Sequence, residues 1–221
     1  MIAEELINEM IPALKLTDNA EKAIIWMEEL KTNQLPVIDN RKFKGLISED
    51  IILESNDLNR KISEYKLISE HCYVNENQHL FDIIRLAQEC DSELVAIIAD
   101  NGEFLGVSRH EDTMKAFANT LAVQGRGGIL VMEMRYMDYS MAEISRLIES
   151  DDAKILGSYL SQDHQDPSYV YLTMKISKED LTTVIATLER FNYKIIAKFH
   201  DSINVDTERE RLDNLLNFLN I

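Results

Sequence analysis

A segment that occurs twice limits what this chain can fold into more than any other feature. The first copy runs from Leu35 to Ser48 and the second from Ala96 to Ser108. The pairs that recur at one interval of 61 residues are Asp39 and Asp100, Asn40 and Asn101, Phe43 and Phe104, and Gly45 and Gly106. Each copy predicts a buried strand, a tight turn and a second strand that leads into a helix. Two copies of one unit usually pack against each other, and the groove between them is a natural ligand site.

Charge and hydropathy exclude several classes of partner. The 221 residues carry a net charge of −16 and are 45% hydrophobic, which is apolar enough for a sizeable core. A nucleic-acid binder needs a basic face, and anionic membranes attract basic segments, so we expect neither partner. A small anionic ligand remains compatible with this charge, because a few local donors can hold it.

The cysteines and the N-terminus predict a cytoplasmic location. Cys72 and Cys90 are the two cysteines of the chain, and they form neither a disulfide framework nor a CxxC pair. The first residues are acidic, whereas a secretory signal begins with basic ones. No window of the sequence approaches the roughly 18 apolar residues that a membrane span requires.

The hydrophobic pattern predicts two β-α-β-β-α repeats, over about 10–62 and 68–122, in a first domain at 1–122. A short acidic helix is expected over 2–10, before the first repeat. Thr17 or Asp18 is expected to cap the first helix of that repeat.

Each repeat is expected to end in a helix that begins at a serine. Ser48 opens the first of these helices, with Glu49 and Asp50 in its first turn, where carboxylates favour the helix dipole. Ser108 and Glu111 have the spacing of a capping box for the second. These two helix N-termini are therefore candidates for a ligand site.

A glycine-rich stretch separates the two halves of the chain. Residues 123–128 contain Gly125, Gly127 and Gly128, and such a density of glycine is also found in phosphate-binding loops. A phosphate loop follows a strand and opens a helix, whereas this stretch follows a helix and opens a strand. We therefore interpret it as a domain linker.

The second half predicts a different domain. Residues 129–203 have the element order βαββαβ, which is the ferredoxin-like arrangement. Ser140 and Ser177 are expected to cap its two helices. Residues 204–221 predict a C-terminal amphipathic helix that packs back on a folded domain or on a partner chain, and its apolar stripe consists of Leu212, Leu215, Leu216 and Leu219.

The two copies resemble a tandem cystathionine-β-synthase (CBS) domain pair, also called a Bateman module, over residues 10–121. The residues that carry the resemblance are the Leu-Pro-Val-Ile-Asp run at 35–39, Phe43, the Gly-Leu-Ile-Ser run at 45–48 and their echo at 96–108. The second half resembles an ACT domain in its element order. The two resemblances together are similar in architecture to the bacterial acetoin-utilization accessory proteins.

Resemblance to a CBS pair implies a regulatory module with two clefts for adenosine compounds, either AMP, ADP or ATP or an S-adenosyl ligand. The pattern Gly-apolar-apolar-Thr/Ser-x-x-Asp then supplies a hydroxyl for phosphate and a carboxylate for the ribose. The resemblance also implies that backbone groups of the first strand read the adenine, at Pro36 and Val37 in one copy and at Ile97 in the other. No further cofactor is implied.

Both copies depart from that pattern. After Gly45 the hydroxyl is present as Ser48, but Ile51 holds the acid position and Asp50 comes one residue early. In the second copy Arg109 holds the hydroxyl position, with Ser108 one residue early, and the acid is present as Asp112. Arg109 and His110 then stand at a helix N-terminus, where they indicate either a bound anion or a pair of solvated side chains.

The sequence contains no nucleophile elbow, no His/Cys set at metal spacing and no Walker motif, so we expect a non-catalytic protein. The function predicted is regulation by a small ligand, with a protein partner that it regulates. The alternative is a partner-binding scaffold whose clefts bind no nucleotide. A homodimer is expected, because the run Ile51-Ile52-Leu53 and the region of Phe117 are candidate exposed apolar faces.

Overall fold

Three small sheets organise the residues that the structure, a computed structural model, describes: 1–55, 57–120 and 125–199. The chain divides into two units, which we call the first unit (Met1–Phe117) and the second unit (Ala118–Ile221). The C-terminal helix expected over 204–221 lies outside the described residues, as do 123 and 124 of the expected linker.

The first repeat begins the first unit. Strand β1 (Leu14–Lys15) pairs in parallel with β2 (Gln34–Asp39), and β2 pairs antiparallel with β3 (Lys42–Ser48). Helix α1 (Ala20–Leu30) connects β1 to β2, and α2 (Glu49–Ser55) follows β3 directly. The predicted order β-α-β-β-α is therefore confirmed for this repeat.

The second repeat has the same order and the same pairing. Strand β4 (Tyr73–Asn75) pairs in parallel with β5 (Leu94–Ile98), which pairs antiparallel with β6 (Phe104–Arg109). Helix α3 (Leu80–Cys90) connects β4 to β5, and α4 (His110–Thr120) follows β6.

The register of the strands shows that the two copies do not align throughout at the single interval of 61 residues used in the sequence analysis. Val37 lies opposite Gly45, and Ile97 lies opposite Gly106. Residues of β2 and β5 therefore correspond at an interval of 60 residues, whereas Gly45 and Gly106 are separated by 61. The turn between β5 and β6 holds the extra residue, so the copies need one gap.

Several helix boundaries also differ from those predicted. Asn19, and not Thr17 or Asp18, caps α1, because its side chain accepts a hydrogen bond from the Lys22 N–H. The helix expected over 2–10 is only a 3-10 turn at Ala3–Leu6, since the chain then extends along β6 and bonds to it.

The two repeats share a hydrophobic core. One cluster of buried side chains joins Leu35 and Leu46 of the first repeat to Leu94, Ala96 and Val107 of the second. A second cluster packs Ala3 and Leu6, which precede the first repeat, among side chains of the second repeat. The repeats therefore pack as a pair, as the sequence predicted.

The second unit is a four-stranded antiparallel sheet with two helices on one face. Its elements are β7 (Gly128–Arg135), α5 (Met141–Ser150), β8 (Ile155–Gln162), β9 (Tyr169–Ile176), α6 (Thr182–Arg190) and β10 (Lys194–Phe199). The strand order β10-β7-β9-β8 is that of the ferredoxin-like arrangement, which confirms the predicted element order.

Alternation along the strands builds the core of this unit. Leu130 and Met132 of β7 are buried with Leu172 of β9 and with the apolar sides of α5 and α6. Ser140 caps α5, as expected, by accepting from the Glu143 N–H.

The start of α6 differs from the prediction. This helix begins at Thr182, and the Asp180 carboxylate accepts from the Thr182 N–H. The Ser177 hydroxyl accepts instead from the Lys154 N–H, so Ser177 joins two loops and does not cap the helix. In the described part of the chain, no helix combines the length and the hydropathy of a membrane span.

Leu172 and Leu160 lie on the same face of this sheet, on an inner strand and on an edge strand, and they test whether the core is centred on the inner strands. The two leucines pair across β9 and β8, and they are 1% and 37% exposed. Leu172→Ala should lower the free energy of unfolding by about 2–5 kcal/mol, because it leaves a cavity among buried side chains. Leu160→Ala should lower the free energy of unfolding by a clearly smaller amount. Urea unfolding followed by circular dichroism measures both, and equal losses would contradict this core.

Candidate functional site

Two crossed segments define the clefts of the first unit. Residues 7–8, which precede the first repeat, lie along the second repeat, where the Asn8 N–H donates to the Val107 carbonyl at 2.8 Å. Leu67 and Ile68 precede β4, the first strand of the second repeat, and lie along the first repeat, where the backbones of Ile68 and Leu46 exchange two hydrogen bonds. Each repeat is therefore completed by the segment that leads into the other one.

A glycine lies under each crossing. A Cβ atom on Gly106 would stand 2.6 Å from Cγ2 of Ile7, and one on Gly45 would stand 2.8 Å from the Ile68 carbonyl oxygen. Gly45 also has a positive φ of 134°, which other residues rarely adopt. Both glycines of the repeated motif are thus explained by close contact. We call the region at Gly45 the first cleft and the region at Gly106 the second cleft.

The second cleft opens into a cavity of about 680 Å³. Gly106, Phe104 and Asn8 form part of its lining. Four glutamates also line it, namely Glu4, Glu5, Glu9 and Glu76. This concentration of negative charge favours a cationic or neutral ligand over an anionic one.

Asp112, the acid at the family position, contacts Asn8 of the cavity lining and already has a donor. Its Oδ2 accepts a hydrogen bond of 2.7 Å from Nδ2 of Asn8. Its Oδ1 lies 3.6 Å from Nζ of Lys115, and the side chain is partly exposed. A sugar hydroxyl is also a hydrogen-bond donor, so a ligand could take the place of the Asn8 amide.

Arg109 lies away from this cavity. Its guanidinium donates to the carbonyl oxygen of Lys31 at 3.1 Å. Lys31 has a left-handed conformation and ends α1, so the cation meets the negative end of that helix. This contact gives Arg109 a partner that neither interpretation from the sequence had foreseen.

Three other predicted residues come together in a separate groove of about 660 Å³. Ser48, Asp50 and His110 all line it, and the last two are exposed. The Ser48 hydroxyl accepts from the Ile51 N–H at 3.4 Å and so opens α2, as predicted. His110 also borders an adjoining groove of about 310 Å³, together with Arg109.

The first amides of both helices at this groove are already bonded to the backbone. The Glu49 N–H of α2 donates to the Asn33 carbonyl, and the His110 N–H of α4 donates to the Glu93 carbonyl, both at 2.9 Å. These amides are therefore not available to an anion as the helices stand.

Ser108 is not a capping residue. It lies within β6, is buried, and its hydroxyl bonds to the Thr113 hydroxyl at 2.9 Å. The Thr113 hydroxyl in turn lies within hydrogen-bond distance of the Arg109 carbonyl. The expected capping box with Glu111 is wrong, because the strand continues through the position that the cap would occupy.

The remaining predicted residues are buried in the strands. Pro36 lies opposite Leu46, Val37 belongs to the core that the repeats share, and Ile97 belongs to the core of the second repeat. Their side chains are committed to packing, so only backbone groups of these residues could contact a ligand.

The sequence did not identify Asn8 or the glutamates of the second cleft as site residues. Glu4, Glu5 and Glu9 fall in the stretch that was assigned to a short helix. Their density was the available signal, because three acids in six positions are costly unless they face water or a cation. Among the described residues, no group of three or more His, Cys, Asp or Glu is placed to hold a metal ion.

Comparison with known proteins places this architecture. No protein-family profile matches the chain. A CBS domain pair/ACT domain protein from Thermotoga maritima is similar with a TM-score of 0.52 and 18% identity, over 55% of this chain and 100% of that one. A CBS domain-containing protein from Bacillus anthracis has a TM-score of 0.46 and 16% identity, over 54% and 94%. CBSX2 in complex with AMP has a TM-score of 0.46 and 17% identity, over 53% and 96%.

Likeness at these identities shows the fold alone. The first unit contains two β-α-β-β-α repeats and is therefore the part of the chain with the topology of a paired repeat. The chain therefore contains the fold of a CBS-domain pair.

Proposed function

We propose that the first unit is a regulatory module that binds an adenosine-containing ligand in the second cleft and catalyses no reaction itself. The observation that carries this proposal is the hydrogen bond from Asn8 to Asp112 beside a cavity of about 680 Å³. Resemblance to a CBS pair implies that the acid at this position accepts hydrogen bonds from the ribose hydroxyls of the ligand. In the ligand-free protein, the Asn8 amide then donates the hydrogen bond that a ribose hydroxyl would donate to Asp112.

The charge of the second cleft favours an S-adenosyl ligand over ATP. Four glutamates line the cavity, and they repel a polyphosphate. A sulfonium and an ammonium group are attracted by the same carboxylates. Arg109, the cation expected to hold phosphate, donates to the Lys31 carbonyl and borders a different groove.

Binding in the second cleft would act on the first repeat through Asn8. The segment that contains Asn8 lies on the second repeat and then enters β1 of the first. A ligand that takes Asp112 removes the side-chain anchor of this segment, while the backbone anchor to Val107 remains. The released segment would carry the signal from one repeat to the other.

The cysteines support a non-catalytic role. Burial, and then the Cys90 thiol beside it, raise the pKa of the Cys72 thiol. A catalytic cysteine needs the thiolate, which these surroundings disfavour.

The first cleft favours the second candidate function, a scaffold that binds a protein partner. Ile51 occupies the acid position and packs against the hydrophobic core. Leu67 and Ile68 contact Gly45 directly. A module whose first cleft lacks the acid and whose second cleft is empty would act through its surface alone.

We propose that the second unit is an ACT-like domain, since its strand order is the one expected of that family. Its turn from Tyr136 to Ser140 contains no glycine, and Met137 at its tip is exposed. A bulky turn limits the approach of a ligand to the backbone, so we assign no amino-acid site to it. The likeness to acetoin-utilization accessory proteins remains one of architecture.

The ligand can be tested by calorimetry on the full chain with S-adenosylmethionine, AMP, ADP and ATP. We expect S-adenosylmethionine to bind most tightly. ATP should bind with an affinity at least about tenfold lower, because the glutamates repel its phosphates. ATP as the tightest ligand would contradict the charge argument. If none of the four ligands gives binding heat at millimolar concentration, nucleotide sensing is contradicted and the scaffold is favoured.

Asp112 and Asn8 can be tested by substitution. In an Asn8→Ala background, which lacks the competing amide, Asp112→Ala should weaken every adenosine ligand by about tenfold, since the loss of a hydrogen bond to a charged group costs about 1.5–3 kcal/mol. Asn8→Ala should leave binding equal or tighter, because it removes the competing donor. Glu111→Ala is the matched control, as it removes the preceding carboxylate of the same helix without touching the cleft. Equal losses in Asp112→Ala and Glu111→Ala would contradict this site.

We also propose that the chain forms a homodimer through helices of the first unit. Their exposed large apolar side chains are Ile25, Leu53, Phe81 and Met114. Exposed apolar faces of this kind are commonly covered by a two-fold partner. Ile52, which the sequence placed on this face, is fully buried in the core instead, and Phe117 is half-buried.

Light scattering at micromolar concentration tests the dimer. Leu53 is 53% exposed on α2, and Leu53→Glu should give a monomer because it places a charge in the apolar contact. Leu58→Glu is the control, since Leu58 is also exposed but lies outside the helices. A wild-type chain that is monomeric under these conditions would contradict the proposal.

A further inference from the structure

The sheet of the second unit has an outer face that no described element of the same unit covers. Helices α5 and α6 and the core side chains occupy the other face. Because side chains alternate along β7, Leu130 and Met132 are buried, while Ile129 and Val131 point to the outer face.

The outer face divides into a polar end and an apolar end. At the polar end Glu133 pairs with Lys194 at 2.7 Å, and the Tyr171 hydroxyl donates to Asp163. The other end is a concave surface with a cavity of about 480 Å³. We call this end the apolar outer face, and define it by Ile129, Val131, Tyr159, Thr173 and Phe199.

Two side chains of the apolar outer face are strongly exposed. Phe199 is 57% exposed and Tyr159 is 53% exposed. Lys175 lies at the border of the cavity, where its ammonium donates to the Gly127 carbonyl. A contiguous apolar surface of this kind indicates a docking site.

The last strand ends on this surface. Phe199 is the final residue of β10 and pairs with Ile129 at the start of β7. The 22 residues that follow Phe199 in the sequence, 200–221, are therefore attached to this unit at the apolar outer face. Their sequence has an apolar stripe at helical spacing, made of Leu212, Leu215, Leu216 and Leu219.

We propose that residues 200–221 dock on the apolar outer face of their own chain and bury the leucine stripe against it. A helix over 207–220 would be about 21 Å long, at about 1.5 Å per residue. Strands of six to eight residues are about 20–26 Å long, at about 3.3 Å per residue, so helix and strands match in length.

The chain between β10 and the stripe is long enough for this docking. Seven residues, 200–206, separate Phe199 from the helix proposed over 207–220. Extended, they reach about 23 Å, whereas four strands spaced by about 4.8 Å span only about 15 Å. The stripe can therefore return over any strand of the sheet.

Tethering favours this segment over the same segment of a second copy. A short flexible connection gives an effective concentration in the millimolar range, which exceeds a micromolar protein concentration by about 1,000-fold. The opposite side of the helix carries polar residues, among them Asp213, Asn214 and Asn217, which would stay in water.

Thiol labelling of the full chain tests the docking. Val131→Cys places a reporter under the segment, and Thr173→Cys, its neighbour across β7 and β9, provides a second one. Leu216→Asp should raise the labelling rate of either reporter by about tenfold or more, because the charge opens the contact. Asn217→Asp adds the same charge on the opposite side of the helix and should leave both rates unchanged. Mass spectrometry separates the reporters from Cys72 and Cys90.

A reporter at Glu133→Cys controls for loss of fold. Glu133 lies on the same strand at the polar end of the face, so neither tail substitution should alter its rate. Rates at Val131→Cys that are independent of protein concentration, from about 1 to 100 µM, are expected for a tethered segment. Protection that grows with concentration would assign the contact to a second copy and overturn the proposal. Labelling that Leu216→Asp does not change would overturn it as well.

Discussion

The crossing of the two linking segments is the constraint on which the first unit depends. Residues that precede one repeat complete the sheet and core of the other, through Asn8 on Val107 and Ile68 on Leu46. Backbone amides and carbonyls in such a position must find partners, and the crossing supplies them. Neither repeat is complete without the segment that leads into the other, so the pair folds as one body. The clefts are by-products of this crossing, since each forms where a segment meets a glycine.

Local pattern was sufficient to predict most of the fold. Short strands with a turn between them, and the helices that follow them, come from hydrophobic period, which acts over a few residues. Capping chemistry predicted the helix starts at Ser48 and Ser140, but not those of α1, α4 and α6. The offset between Val37 and Ile97 could not be predicted in the same way. The Asp-Asn pairs align without a gap, and only the pairing of each strand with its neighbour shows that the second turn is longer. Register is a property of two strands, whereas the pattern describes one.

The site was less predictable because its contacts are distant in sequence. Asp112 was identified from its position in a motif, but its donor Asn8 lies 104 residues away. Arg109 was judged by the dipole of the helix that follows it, whereas the structure pairs it with Lys31, 78 residues away, at the opposite end of another helix. A local electrostatic argument treats one helix at a time. In a paired repeat the N-terminal end of one helix lies beside the C-terminal end of another, and the nearer partner decides the contact.

Asn8 has two anchors, and their separation limits what any ligand can do. Its side chain bonds to Asp112, while its backbone bonds to Val107. A ligand can shift an equilibrium only by the difference in its affinity for the two states. A ligand that replaces the side chain alone gains one charged hydrogen bond and loses one, so the exchange at Asp112 is nearly neutral. The energy for a response must therefore come from the rest of the ligand in the cavity, where the four glutamates select its charge.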